Sequence, residues 1–84
     1  KKIAAFRKII DQIDSKIIYL LNKRMDISIK VGKIKSLLEA PIKDKNREQK
    51  IIDRLTKLKG ENLSDEQLIN IFSEVFKTSR DIQK

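Results

Sequence analysis

Apolar residues recur along the first half of the chain at Phe6, Ile10, Ile13, Ile17 and Leu20, and again at Ile27, Val31, Ile34 and Leu38. The steps alternate four and three, a 3.5-residue repeat that lays one apolar seam along a helix. One slot breaks it: position 24, where the next apolar residue is due, holds Arg24. No proline interrupts the row before Pro41, so the pattern predicts a single helix over residues 2–38. At 1.5 Å per residue such a helix is about 54 Å long. A compact domain of 84 residues has a radius of gyration of only about 12 Å. The helix must therefore project beyond its own chain, and its seam stays wet unless another copy covers it. An intertwined homodimer is the expected solution.

Two shorter helices follow. The stretch "PIKDKNRE" (41–48) supplies a rigid approach and an acidic cap for a helix over residues 44–59. Ile51, Ile52, Leu55 and Leu58 give its apolar face, and Gly60 is placed as a left-handed stop. Ser64-x-x-Gln67 reads as a capping box, with Leu63 and Leu68 at the staple positions around it. It opens a third helix over residues 64–83, with an apolar face through Leu68, Ile71, Phe72, Val75, Phe76, Ser79 and Ile82. The expectation is one all-α domain over residues 1–84, with one very long helix and two shorter ones.

Composition narrows the chemistry. The chain has no Cys, which excludes disulfides and thiol catalysis, and no His, the commonest general base and transition-metal ligand. A serine–histidine hydrolase is impossible, and a zinc enzyme would lack its usual ligands. The formal net charge of +8 favours an anionic partner: nucleic acid, a membrane surface or a small anionic metabolite. General Lys and Ile enrichment accounts for part of that excess. No apolar run approaches the roughly 18–20 residues of a membrane span, and no signal-peptide pattern opens the chain. A cytoplasmic location without a membrane partner is expected.

Candidate functional residues lie beside the seam. Arg24, Ser28, Gly32 and Lys35 are spaced four, four and three apart and share one helix face. One reading is a tight helix crossing at Gly32, with both cations reaching out to solvent. The other is a small cavity with a cation at each end. Spacing alone does not choose between them. Arg7 falls about a quarter turn or more off that face. It is solvated by default, unless an antiparallel partner helix brings it to the site. Asp44, Arg47 and Glu48 fall in the first turn of the second helix, where carboxylates are expected for capping alone. Ser79 and Gln83 extend the stripe begun by Phe72 and Phe76, either as a fraying end or as a pocket lining.

Together these residues resemble the all-helical class of chorismate mutases. The resemblance runs through "RKIIDQIDSKIIYLLNKR" (7–24), "VGKIK" (31–35), "APIKDKNRE" (40–48) and "TSRDIQ" (78–83), nearly the whole chain. It implies a reaction in which chorismate, a dicarboxylate enol ether, rearranges to prephenate by an intramolecular pericyclic step. Such chemistry needs no nucleophile, general base, metal or cofactor. It needs a substrate held compactly and fixed positive charge at the ether oxygen. The resemblance casts Lys35 and Gln83 as the groups on that oxygen. Arg24 becomes a carboxylate ligand, and Arg7 a residue contributed by the partner chain. Glu48 becomes the acceptor for the ring hydroxyl, assisted by the backbone near Asp44. Arg47 and Ser79 support the substrate, Ser79 near a carboxylate.

Two rivals remain. Isochorismate-pyruvate lyases look similar, although "PIKDKNRE" with Ser79 and Gln83 suits a mutase better. A basic helical module for nucleic acid or dimerisation draws support from the charge. Its cations, however, should cluster on one exposed face, and here lysines scatter over all three segments. Mutase domains of this class are also often fused to another enzyme of aromatic amino-acid synthesis.

Overall fold

The computed structural model describes residues 1–84. The chain forms three helices and no strand: α1 (Lys2–Leu37), α2 (Lys45–Leu58) and α3 (Asp65–Gln83). The length mismatch inferred from the seam is real. The molecule extends 56 Å along its main axis with a radius of gyration of 15.8 Å, well beyond the value of about 12 Å for a compact chain.

The ends of the helices have local causes. The carboxylate of Asp44 accepts from the Arg47 backbone N–H at 2.9 Å and starts α2. Gly60, at φ 76°, follows its last turn. Both halves of the Ser64/Gln67 capping box form, at 3.1 and 3.0 Å, and open α3. The end of α1 is less conventional. The Ala40 N–H donates to the Lys35 carbonyl and the Glu39 N–H to that of Ser36, the bond pattern of a Schellman stop. Glu39 occupies the left-handed position at φ 53°, where glycine is usual. Pro41 comes only after the turn is complete, so α1 stops at Leu37.

Helix α3 is the centre of the chain. It packs on both α1 and α2, which do not pack directly on each other. Leu68 and Phe76 of α3 and Ile51 of α2 are the buried apolar residues of the chain, and the Phe72 and Phe76 rings meet at 6.0 Å with a tilt of 59°. On α1, α3 docks over Ser28 and Gly32, both buried, with Leu21 and Met25 half-buried nearby. That face lies about a third of a turn from the part of the seam through Leu20, Ile27 and Ile34. The seam is left uncovered: Phe6, Ile10, Ile13, Ile17, Leu20, Ile27 and Ile34 are all about half exposed or more. Residues 1–20 have no buried member at all.

Candidate active site

A cavity of about 340 Å³ lies where the C-terminal half of α1, the start of α2 and the end of α3 converge. The first helix contributes Arg24, Ser28 and Lys35, the second Asp44, Arg47 and Glu48 from its first turn and cap, and the third Ser79, Arg80 and Gln83. Ile27, Val31, Ile42, Ile51 and Phe76 supply the apolar wall. Seven of the eight residues singled out from the sequence thus meet in one place. Arg7 does not. It lies on the open surface near the start of α1, beside Lys8 and Asp11, about 26 Å along the axis from Arg24.

The Gly32 row forms both a tight crossing and a cavity, but Arg24 and Lys35 line that cavity and do not reach out to solvent. A Cβ at Gly32 would lie 2.9 Å from both the Cα and the Cβ of Gln83, so the missing side chain is what lets α3 approach. The cavity opens beside that crossing. The same approach brings the Ser28 and Ser79 hydroxyls to 2.6 Å, a buried hydrogen bond between α1 and α3. Gln83 Nε2 donates to Ser79 Oγ at 3.4 Å, while Gln83 Oε1 is buried without a partner. An orphaned buried acceptor costs about 1–3 kcal/mol, so a polar ligand here would recover part of that cost.

Electrostatically the lining is cationic. Arg24, Lys35, Arg47 and Arg80 face two carboxylates, Asp44 and Glu48, a surplus of two positive charges. Lys35 Nζ donates to the Ile42 carbonyl at 2.8 Å, which anchors it without neutralising it. Burial lowers the pKa of Arg24 from its ordinary value, and the nearby charge of Arg47 lowers it further. Its guanidinium sits over the Phe76 ring at 5.9 Å. A guanidinium cannot escape such a place by deprotonating near neutral pH. The site therefore holds unneutralised positive charge and is suited to a small dianion.

A family model described as chorismate mutase type II matches residues 6–84. The chain belongs to that family. A chorismate mutase from Methanocaldococcus jannaschii is 40% identical to it over 85 residues, which cover 100% of this chain and 86% of the relative. Among solved structures, a chorismate mutase from Thermus thermophilus superposes with a TM-score of 0.95 at 30% identity, covering 99% of this chain and 94% of that one. A chorismate mutase from Helicobacter pylori, solved in complex with prephenate, gives a TM-score of 0.89 at 38% identity over 96% of this chain and 88% of that one.

For a chorismate mutase chain, the residue that sequence reasoning passed over is Arg80. It lines the cavity and forms an ion pair with Glu48 at 2.5 Å, with both side chains about three-quarters buried. Its neighbours Ser79 and Gln83 stand out as polar residues on an apolar stripe. Arg80 lies at the edge of that stripe, where a cation attracts no attention. The bond between the Ser28 and Ser79 hydroxyls joins residues 51 positions apart and has no sequence signal.

Proposed function

We propose that the cavity binds chorismate and releases prephenate, with the protein contributing charge and shape rather than covalent chemistry. The observation that carries this reading is the convergence of seven family-type residues on one cavity with two surplus positive charges. In this reading Arg24 forks onto one carboxylate. Lys35 serves a carboxylate and the ether oxygen on which negative charge grows as the C–O bond breaks. A donor fixed at that oxygen acts more strongly on the transition state than on the ground state. Gln83 supplies a second donor there. Its amide nitrogen carries two hydrogens, one given to Ser79 and the other left for the ligand. Glu48 accepts from the ring hydroxyl, with the backbone near Asp44 beside it. Arg47 and Ser79 hold the remaining carboxylate oxygens.

The site is completed by a second copy, which brings Arg7 of the partner subunit to the cavity. What supports this is continuity. Ile27 and Val31 belong to the exposed seam and also to the cavity wall. A helix laid along the seam therefore also closes the mouth of the site. The test is the loss of chorismate absorbance on adding purified protein, with the product identified as prephenate. Unchanged absorbance, or pyruvate as the product, would overturn the reading.

A further inference from the structure

Glu48 and Arg80 form the only ion pair in the cavity wall. The pair joins the first turn of α2 to the last turn of α3, across 32 residues of sequence. Arg80 Nη1 donates to Glu48 Oε2, and no protein donor reaches Glu48 Oε1. Without that anchor the carboxylate would sit on a flexible stem beside Arg24, Lys35 and Arg47, free to turn towards any of them. With it, one oxygen is occupied and the other is left as an acceptor.

We propose that Arg80 is a positioning residue: it clamps Glu48 so that one carboxylate oxygen stays available to a hydroxyl on the bound substrate. The inference rests on the reading of Glu48 given above and adds a residue to it. Arg80 does not touch the reacting atoms. It keeps Glu48 from collapsing onto the cations that the substrate carboxylates require, and so keeps those cations free as well.

The test is a double-mutant cycle on the full chain with Arg80→Met, Arg80→Lys, Glu48→Gln and the Arg80→Met/Glu48→Gln pair, reading kcat and KM for chorismate and the helical melt of each variant. Arg80→Met is expected to lower kcat/KM about 10-fold, within the range of coupled neighbours. In the Glu48→Gln background it should cost less than about 2-fold, because there is no carboxylate left to position. Arg80→Lys should recover most of the loss, since an ammonium can still hold Oε2. Equal losses in both backgrounds would place Arg80 on the substrate or in the fold and overturn the proposal, as would no loss in either. Should Arg80→Met fail to melt cooperatively, Arg80→Gln takes its place in the cycle under the same criteria. Wild-type protein that leaves chorismate unchanged would instead defeat the functional reading, a result separable from any ratio between variants.

Discussion

Lys35 and Arg24 show how two cations in one cavity carry different burdens. Lys35 is held by a neutral carbonyl, that of Ile42, and by no carboxylate. Its charge is thus fully available to a developing oxyanion. Lys35→Ala should lower kcat by about 10²–10³, the loss typical of one preorganised donor, with little change in melting temperature. A drop confined to KM would show that the lysine binds ground state and transition state alike. Arg24 is costlier to keep. Its depressed pKa means that folding disfavours the charged form, first through burial and then through Arg47. Because the guanidinium stays protonated near neutral pH, the cost is fully present there and relieved only far above it. Arg24→Met should therefore melt at or above the wild-type temperature, by the same margin at pH 6 and pH 8, while losing nearly all activity. A clear fall in melting temperature would mean that stacking on Phe76 outweighs the cost of burying the charge.

Among the elements, the crossing of α1 and α3 governs the site, because Gln83 rests on Gly32. Alanine in place of Gly32 gains about 1 kcal/mol in helix propensity. Its Cβ, however, meets the Gln83 Cα at 2.9 Å, and a backbone atom cannot swing aside. Overpacking of this kind costs about 1–3 kcal/mol, so the two terms nearly offset in stability. The damage should appear in function. Gly32→Ala is expected to lower kcat at least about 10-fold, as misplacement of a donor by an ångström does, with a modest change in melting temperature. Unimpaired turnover would show that Gln83 has slack. The same crossing shows what the sequence can and cannot disclose. The seam, the Ser64/Gln67 box and the stop at Gly60 are local signals, and three helices follow from them. The face of α1 that α3 takes is narrower, built on Ser28 and Gly32, and the longer seam masks it. The Glu39 stop is hidden for another reason, since nothing about a glutamate announces a left-handed residue. Seven site residues could be named because a family pattern joined them. Arg80 could not, because its meaning depends on a partner 32 positions away.

For the molecule as a whole, the decisive quantity is how little one chain buries. Six of 84 residues are buried, far too few for a core that must offset the entropy of ordering the rest. The uncovered seam holds the apolar surface that could make up the difference, and it runs from the cavity to the end of α1 that carries Arg7. If two α1 helices lie antiparallel along their seams, the start of each passes the other's cavity, and Arg7 of the partner subunit comes within reach of Lys35. A mixing experiment separates this arrangement from a dimer with self-contained sites. Arg7→Ala and Lys35→Ala chains should each be nearly inactive alone. In a mixed dimer, one site receives Lys35 from the first variant and Arg7 from the second, while the other site lacks both. With equal amounts and free exchange, half of the dimers are mixed, each with one intact site. Activity should then return to about a quarter of the wild-type level. Sedimentation must show a dimer, and tagged chains must confirm that subunits exchange. If exchange is complete and the mixture stays as inactive as its parents, each site is built from one chain, and the guanidinium at position 7 has no part in it.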